Sequence, residues 1–311
     1  MSTSTVRRNE RVCWMNGAFI PESRALIPFR DRGFLYGDGA FDTTRTFGGR
    51  IFRLQEHLER FWRTMRYLRL DPGMSLEAMR EITEAVVERN AHLLGPDDDW
   101  WVSQRITRGE RLTGGEQPSH EGPTIVIECT PLPLKERASL FRDGIRVTVP
   151  SVRRTPPESL SPRVKSINYL NMIVADHEAH SIDPGSWAVL LDMDGLLAEG
   201  LGSNIFIVQD GELLTPHSRK VLPGISRQVV IELALQEGIP CREAEIDLYD
   251  AYNADEVFLT STSLCICPVV SVNGAPVGDG TPWQPVTQRL TDAYRRLVDH
   301  DFVAQYLARL G

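Results

Sequence analysis

A proline-spaced segment, "TPLPLKERA" at residues 130–138, divides the sequence into two parts that each alternate strand and helix patterns. Prolines at this spacing interrupt regular structure, so the segment is expected to connect two domains. A chain of 311 residues is long enough for about two domains of roughly 150 residues each. The sequence therefore predicts an α/β fold with a small N-terminal α/β domain over 1–130, an interdomain linker over 131–140 and a larger C-terminal α/β domain over 141–311.

The N-terminal part is predicted to contain two hairpins followed by two helices. The pairs Asn16-Gly17 and Gly48-Gly49 each separate two apolar arms, a pattern typical of hairpin turns. Apolar residues recur at helical spacing after Leu54, and Ser75 is expected to cap a second helix. The segments "WWVSQRITRG" and "TIVIECTPLPL" are then predicted to be strands, with a polar loop, "GGEQPSHEGP", between them.

The C-terminal part shows a similar alternation. Strand pairs are expected to turn at Asp194-Gly195 and at Asp210-Gly211. A helix is predicted through "ISRQVVIELALQEG" and is expected to end at Gly238. Further helices are predicted after Lys165, through His180, and through "TQRLTDAYRRLVDHDF". The segments "GIRVTVPSVRR", "EVFLTSTS" and "CPVVSVNGAPV" complete the predicted strands.

Composition excludes several classes of protein. A hydrophobic content of 41% and a charged content of 24% are ordinary for a soluble globular chain. The net charge of −8 argues against a general nucleic-acid surface. The cysteines lack the paired spacing of a metal site, so reduced thiols and no metal are expected. The N-terminal residues have no apolar signal core and no run is long enough to span a membrane, so the expected location is the cytoplasm.

Lysine is rare in this chain. Only Lys135, Lys165 and Lys220 occur among the 34 residues that are Lys or Arg. A lysine kept where arginine would supply the same charge is a candidate for chemistry, because an amine can lose its proton and form a carbon–nitrogen double bond. The alternative is that Lys165 is one of three remaining surface cations.

Four features away from Lys165 bear on that choice. Glu199 lies in a glycine-rich turn, the backbone amides of residues 225–226 begin a helix, the hydroxyls of "TSTS" at 260–263 end a strand, and Arg60 lies in "HLERF". Each has an ordinary explanation as a loop acid, a helix start, a strand edge or a surface arginine. Together with a lysine they are the groups that pyridoxal phosphate needs for its aldehyde, its ring nitrogen and its phosphate.

The chain resembles the class IV, or fold type IV, pyridoxal-phosphate aminotransferases. This family includes branched-chain amino acid aminotransferases, D-amino acid aminotransferases, (R)-selective amine transaminases and aminodeoxychorismate lyase. The resemblance implies the two-domain fold type IV architecture, and it covers most of the chain in order. The matching segments are "YGDGAFDTTRTF", "FRLQEHLERF", "KSINYL", "LDMDGLLAEGLGSNIFIVQDGELLTP", "LPGISR" and "ADEVFLTSTSLCICPV".

The resemblance also implies roles for individual residues. Lys165 corresponds to the lysine that forms the Schiff base and carries a proton during transamination. Glu199 corresponds to the acid beside the pyridine nitrogen, and Tyr169 resembles the tyrosine that reaches the phenolic oxygen of pyridoxal 5'-phosphate. The residues that correspond to the phosphate-binding group are Arg60, Ile225, Ser226, Ser261 and Thr262.

The substrate pocket is less well defined by the resemblance. The residues implied to line it are Tyr36, Phe41, Thr43, Trp101, Arg105 and Ser263, and Arg45 resembles a residue retained in the branched-chain group. Trp101 and Ser103 stand where branched-chain enzymes often carry Tyr and Arg. The substrate carboxylate contact is therefore open between Arg105, Arg108 and Arg111.

The expected function is a pyridoxal-phosphate-dependent transaminase that moves an amino group from a branched-chain or hydrophobic amino acid to a 2-oxo acid such as 2-oxoglutarate. The family pattern implies a homodimer, and the expected partners are a small-molecule amino donor and a keto acceptor. The composition and the lack of long apolar runs predict no nucleic-acid and no membrane partner. Two enzymatic alternatives are a D-amino acid or (R)-selective amine transaminase and an aminodeoxychorismate lyase-type enzyme. A third alternative is a binding protein that keeps the fold without catalysis.

Overall fold

The computed structural model of this chain describes residues 10–110 and 122–310. The described chain is mixed α/β, as predicted, and it forms two compact units. Unit 1 comprises Met1–Leu132 and Val164–Asn168, and unit 2 comprises Pro133–Arg163 and Tyr169–Gly311. Most of the predicted polar loop after the strand "WWVSQRITRG" lies outside the described residues.

Unit 1 is built on an antiparallel sheet. In the part of the chain that the structure describes, its elements are β1 (Val12–Met15), β2 (Ala18–Pro21), α1 (Arg32–Tyr36), β3 (Gly39–Phe47), β4 (Arg50–Ile51), α2 (Leu54–Leu68), α3 (Leu76–Asn90), β5 (Trp100–Thr107) and β6 (Thr124–Pro131). The strand order is β2-β1-β6-β5-β3-β4. Both hairpins occur as predicted, because Asn16, Gly17, Gly48 and Gly49 all adopt the positive φ that tight turns require.

Helices α2 and α3 supply the core of unit 1. Leu58 and Phe61 of α2 and Met79 of α3 are fully buried in one cluster with the strand residue Val102. The predicted cap of α3 is confirmed, since the Ser75 Oγ accepts a hydrogen bond from the Ala78 N–H at 3.1 Å. One face of the sheet is therefore covered by the two helices, and alternate side chains of each strand point to the other face.

Unit 2 contains a larger mixed sheet. Among the described residues its elements are α4 (Leu134–Asp143), β7 (Ile145–Thr148), α5 (Leu170–Ile182), β8 (Trp187–Leu191), β9 (Leu197–Gly200), β10 (Ser203–Gln209), β11 (Glu212–Pro216), α6 (Ile225–Gln236), β12 (Cys241–Ala244), α7 (Leu248–Tyr252), β13 (Glu256–Ser261), β14 (Cys265–Val272), β15 (Ala275–Pro276), α8 (Pro285–Val298) and α9 (Phe302–Leu307). The strand order is β12-β11-β10-β13-β14-β7-β8-β9, and β9 pairs again with β10. The pairings from β10 round to β9 therefore close into a ring.

The turns predicted in unit 2 are confirmed. Gly195 lies between β8 and β9 with φ +86°, and Asp210 and Gly211 join β10 to β11 with φ +49° and +78°. Gly238 follows α6 with φ +67°, which is the left-handed conformation common just beyond a helix.

The predicted helix after Lys165 begins later than expected. Residues 164–168 run beside β3 in unit 1, where the Phe41 N–H donates to the Lys165 carbonyl oxygen (3.0 Å) and the Ile167 N–H donates to the Gly39 carbonyl oxygen (3.1 Å). These backbone groups are used by the pairing with β3 and cannot serve a helix. Helix α5 therefore starts at Leu170, and it ends at Ile182 rather than at His180.

Two further helices differ from what the sequence predicted. The segment 131–140, expected to be a linker, contains most of α4, because Leu134, Ala138 and Phe141 form one buried helical face after the two prolines. The last predicted helix is divided into α8 and α9. It stops at Val298 because Asp299 takes the left-handed conformation, with φ +50°.

The described residues contain no helix long and apolar enough to cross a membrane. They also contain no cluster of three or more His, Cys, Asp or Glu residues that could hold a metal ion. None of the cysteines in the described ranges is joined in a disulfide.

Candidate active site

Lys165 lies against β3 in unit 1. Its backbone N–H donates to the Thr64 Oγ1 of α2 at 3.3 Å, and its backbone carbonyl oxygen accepts a hydrogen bond from the Phe41 N–H. The Nζ atom lies 4.4 Å from the centre of the Phe41 ring, and only 9% of the residue is exposed. The backbone bonds fix the position of the residue, and the aromatic ring holds its amine in a largely water-excluded environment.

Arg60 is held by a buried carboxylate on the neighbouring strand. Its Nε donates to the Asp42 Oδ2 at 2.9 Å, and its Nη2 donates to the Asp42 Oδ1 at 2.7 Å. The His57 Nδ1 lies 2.7 Å from the Asp42 Oδ1. Residues three apart on a helix share a face, so α2 presents both His57 and Arg60 to β3. All three side chains are buried, and the orientation of the guanidinium depends on Asp42.

The charges in this buried group follow from its contacts. Burial by itself raises the pKa of Asp42, but the charge of Arg60 and the hydrogen bonds from Arg60 and His57 outweigh burial and hold that pKa well below its usual range. Burial lowers the pKa of His57 more than its attraction to Asp42 raises it. The imidazole is therefore neutral at pH 7 and donates its Nδ1–H to the ionised Asp42.

The face of the sheet opposite α2 carries most of the predicted substrate residues. The register pairs Phe41 with Arg105 and Thr43 with Ser103 across β3 and β5, and the Thr43 and Ser103 hydroxyls lie 2.9 Å apart. The Arg105 side chain is 46% exposed and forms an ion pair with Glu128 of β6. Trp101 lies further along β5 on the same face. The strand pairing thus brings together residues that sequence spacing alone could not connect.

Other predicted substrate residues have different surroundings. Arg45 is fully buried with Asp99, at a closest N–O separation of 3.5 Å, and this pair accounts for its charge. Arg108 donates to both carboxylate oxygens of Asp38 and to the last carbonyl groups of α2. Tyr36 is exposed at the end of α1. Arg111 lies outside the described residues.

Glu199 lies on β9 in unit 2 and has a donor on each carboxylate oxygen. The Arg154 Nε donates to its Oε1 at 2.9 Å, and the Leu222 N–H donates to its Oε2 at 2.9 Å. Glu199 faces Asn204 in the pairing of β9 with β10, and the Asn204 Nδ2 donates to the Leu222 carbonyl oxygen at 3.0 Å. The two side chains therefore fix the backbone of Leu222 just before α6.

The N-terminus of α6 follows directly from that fixed segment. A Cβ added to Gly224 would lie 2.2 Å from the Asn204 Oδ1, so the close approach of the two segments requires glycine. Gly224 is the N-cap residue and has no side chain to cap the helix, and Ile225 and Ser226 are the first helical residues. A twelve-residue helix that begins in this way presents backbone N–H groups suited to an anion.

The remaining predicted residues of unit 2 lie at the end of β13 and before α5. Ser261 ends β13, and its Oγ accepts a hydrogen bond from the Leu264 N–H, so Thr262 and Ser263 form a tight turn. Ser263 is buried and is contacted by Arg137 of α4. Tyr169 precedes α5 and packs against an apolar cluster of unit 2.

The residues present fit the chemistry of pyridoxal phosphate. Unit 1, taken by itself, contains an amine and a guanidinium, and unit 2, taken by itself, contains a buried carboxylate, hydroxyl groups and a helix N-terminus without a side-chain cap. These are the group types that bind the aldehyde, the ring nitrogen and the phosphate of this cofactor. The glycine that the close approach requires at 224 agrees with an anion site at the start of α6.

Four polar residues near the predicted site residues were not predicted from the sequence. Asp42 and His57 in unit 1, and Arg154 and Asn204 in unit 2, all contact a predicted residue or the segment that leads into α6. The available signal was their position inside the segments that carry the resemblance, or, for Arg154, its place in a polar stretch shortly before Lys165. These contacts join residues 15 to 45 positions apart, so sequence spacing does not reveal them.

The model of a protein family described as "Amino-transferase class IV" matches residues 39–272. A Methanocaldococcus jannaschii protein provisionally named a branched-chain-amino-acid aminotransferase is 36% identical over 283 residues, which are 91% of this chain and 94% of that protein. The D-alanine aminotransferase of Staphylococcus haemolyticus is 28% identical over 287 residues, 92% of this chain and 97% of that protein. The match to branched-chain-amino-acid aminotransferase-like protein 1 of Arabidopsis thaliana, at 32% identity, covers 93% of this chain but 51% of that protein.

Solved structures share the fold. A T.th. branched-chain amino acid aminotransferase complexed with N-(5'-phosphopyridoxyl)-L-glutamate has a TM-score of 0.84 at 26% identity, and the match covers 94% of this chain and 95% of that one. The structure described as the same enzyme with pyridoxamine 5'-phosphate has a TM-score of 0.84 at 27% identity, covering 93% and 95%.

The buried Asp42 should make stability depend on pH. Its pKa in the folded chain is far below the unfolded value of about 3.9, so its stabilising contribution is complete above that pH and is lost as the pH falls towards the folded pKa. In Asp42→Asn we expect a loss of about 3–5 kcal/mol in the free energy of unfolding at pH 7, because Arg60 is left without its charge partner. Urea unfolding of both proteins from pH 7 down to pH 3 should show this difference shrinking below pH 4.

The matched control is Asp143→Asn, since Asp143 also pairs with an arginine but lies on the exposed surface. This variant should unfold almost as the wild type does. A difference between wild type and Asp42→Asn that stays constant with pH would contradict the assignment of a low pKa to Asp42.

Proposed function

Because the chain belongs to the class IV aminotransferase family, we propose that it uses pyridoxal 5'-phosphate to move an amino group from a branched-chain or other hydrophobic amino acid to a 2-oxo acid such as 2-oxoglutarate. The family assignment and the aminotransferase activity expected from the sequence are confirmed by these matches. The observation that carries the finer proposal is the buried Lys165 amine over the Phe41 ring, in a chain with only two other lysines.

The proposed cofactor would supply an aldehyde for the amine of the donor and a protonated ring that stabilises negative charge at the reacting carbon. Lys165 would hold the cofactor through its amine when no substrate is present. Once freed from the cofactor, the same amine would act as the base that takes up the proton of the donor α-carbon and later gives it back. Arginine cannot fill this role because its guanidinium keeps its proton.

The other residues hold the cofactor in the proposed mechanism. Glu199 would accept a hydrogen bond from the ring nitrogen, and Tyr169 would donate to the phenolic oxygen. The residues proposed to bind the phosphate are Arg60, Ile225, Ser226, Ser261 and Thr262. The fixed guanidinium of Arg60 supports this assignment, since Asp42 sets its orientation before any ligand arrives.

The substrate residues proposed in unit 1 are Tyr36 and the residues of one sheet face, namely Phe41, Thr43 and Trp101. Ser263 is the substrate residue proposed in unit 2. Arg105 is the best candidate for the substrate carboxylate. Its side chain pairs with Glu128 at the surface, and an exposed ion pair contributes little stability and can be exchanged. Arg108, in contrast, is fully engaged with Asp38 and the end of α2.

The branched-chain donor is favoured because the M. jannaschii relative with that provisional name is more similar to this chain than the D-alanine enzyme is. The runner-up is a D-amino acid or (R)-selective amine transaminase. It is supported by the similarity to the D-alanine aminotransferase and by the serine at position 103, where branched-chain enzymes often carry arginine. We further propose a cytoplasmic location, with which the lack of disulfides among the described cysteines agrees.

We also propose that the chain is a homodimer. In unit 1 a single segment exposes several large apolar side chains, namely Leu26, Phe29, Phe34, Leu35 and Tyr36. In unit 2 one side of α5 exposes Leu170, Ile173 and Val174. Apolar groups concentrated in this way mark surfaces that a partner covers.

Lys165 should carry the cofactor. Wild-type protein incubated with pyridoxal 5'-phosphate should show near-violet absorption, and borohydride should then fix the cofactor on the peptide that contains Lys165. Lys165→Arg keeps the charge but should lose the absorption, the adduct and about 10²–10⁴-fold or more of the transamination rate. Lys135→Arg is the matched control, since Lys135 is exposed, and it should behave as wild type. An adduct that persists in Lys165→Arg would overturn the assignment.

The preferred donor can be identified from a single half-reaction. Stopped-flow loss of the near-violet band without acceptor should be fastest with L-leucine and slower with D-alanine or (R)-1-phenylethylamine. Bleaching by D-alanine but not by L-leucine would replace the branched-chain proposal with the runner-up.

The same assay tests Arg105. In Arg105→Met the second-order rate with L-leucine should fall about 10-fold or more, because a charge-assisted bond to the carboxylate is lost. The rate with (R)-1-phenylethylamine, which has no carboxylate, should change little. Equal loss for both donors would assign the carboxylate to another residue.

The homodimer can be tested by light scattering. The measured mass should be about twice the 35.0 kDa of one chain. Introducing charge at the exposed segment through Leu26→Lys and Phe34→Lys should shift the mass towards that of a monomer. Leu235→Lys, at a position on α6 that is 81% exposed, is the control and should leave the mass unchanged. A wild-type mass of one chain would contradict the proposal.

A further inference from the structure

We propose that Arg154 is a positioning residue that keeps Glu199 ionised and oriented, so that a proton shared between Glu199 and the cofactor stays on the ring nitrogen. The inference rests on the proposed cofactor site. It concerns a residue that the sequence resemblance does not assign.

The geometry fixes the carboxylate from both sides. The Arg154 Nε lies 2.9 Å from the Glu199 Oε1, while the backbone of Leu222 holds the Oε2 at 2.9 Å. The position of Arg154 is itself fixed, because its backbone N–H donates to the carbonyl oxygen of Leu191, at the end of β8, at 2.8 Å. Since β8 pairs with β9, Arg154 is tied to the strand next to the one that carries Glu199. The carboxylate therefore has little freedom to rotate.

The ion pair between Arg154 and Glu199 is largely buried. The side chain of Arg154 is 15% exposed and that of Glu199 is 6% exposed, so solvent screens the pair weakly. Residues on either side of Glu199, Ala198 and Gly200, are also buried. A carboxylate in such surroundings is costly to ionise alone, and a guanidinium at hydrogen-bonding distance offsets that cost.

The effect on the proton follows from this charge compensation. A carboxylate paired with a guanidinium is a weaker base than one buried alone, because the pair would be broken by protonation. A carboxylate has about four acceptor positions, so bonds from Arg154 and Leu222 do not by themselves exclude a bond from a pyridinium N–H. Without Arg154, the N–H bond of the ring would break and an O–H bond on Glu199 would form, which leaves the ring neutral and a poorer acceptor of electrons.

The neighbouring Arg153 provides a matched control. It precedes Arg154 directly in the sequence but is exposed, and the contact described for it is a hydrogen bond from Asn171 to its carbonyl oxygen. Replacement of its side chain removes the same charge from the same stretch of backbone and leaves the Arg154–Glu199 pair in place. Charge lost at 153 and at 154 can therefore be compared directly.

The test uses cofactor labelled with ¹⁵N at the pyridine nitrogen and bound to the full-length protein. In wild type and in Arg153→Met, solid-state NMR should give the resonance of a protonated ring nitrogen. In Arg154→Met the resonance should move towards the unprotonated position, and Arg154→Lys should restore it at least in part. A protonated nitrogen in Arg154→Met would overturn the inference.

A second measurement separates positioning from general damage to the fold. Arg154→Met should weaken binding of pyridoxal 5'-phosphate about 10-fold, but it should have little effect on an analogue in which carbon replaces the ring nitrogen. Equal weakening for both cofactors would mean a purely structural role and would contradict the proposal. Failure of the proposed function would look different, because the wild type itself would bind no cofactor through Lys165.

Discussion

The charge of one buried carboxylate, Asp42, determines how the strand and the helix of unit 1 meet. A carboxylate without contact to water is tolerated only when its charge is matched, and α2 supplies the match with Arg60 and a neutral histidine. The requirement fixes the rotation of α2 about its axis, because both partners must face β3. It also leaves the opposite side of β3 available for Phe41 and Thr43. The division of this sheet into a face packed on α2 and an opposite face that carries Phe41 and Thr43 thus follows from the compensation of one charge.

Glu199 of unit 2 is also a buried carboxylate with charged and backbone donors, but its donors are arranged differently from those of Asp42. Asp42 is enclosed by a histidine and an arginine from a single helix, whereas Glu199 is held by one guanidinium and one backbone N–H from separate segments. The backbone donor belongs to Leu222, so the position of the acid and the path of the chain into α6 are set together. The contacts that orient the Glu199 carboxylate therefore also fix the backbone that leads into α6.

Local signals predicted much of the fold. The turn at Asn16-Gly17 needs φ above zero at both residues, and the repeating apolar residues of α2 need a core on one side; both requirements can be read from a few neighbouring letters. Helix α4 was missed because two prolines precede it, although its buried Leu134, Ala138 and Phe141 have helical spacing. The start of α5 was misjudged because backbone pairing with distant β3 outweighs helix propensity at 165–168. Within the site, the resemblance identified residues that share a motif, but partners such as Arg154 depend on which strands become neighbours.

The short segment 164–168 has a consequence for how such a chain can be divided. Unit 1 is not one continuous stretch of sequence, because it includes Val164–Asn168, which lie between two segments of unit 2. If the chain were divided near residue 132, the sheet of unit 1 would be separated from segment 164–168, which pairs with β3. Lys165 would then belong to the C-terminal fragment. We therefore expect that neither fragment produced by such a cut contains a complete unit 1.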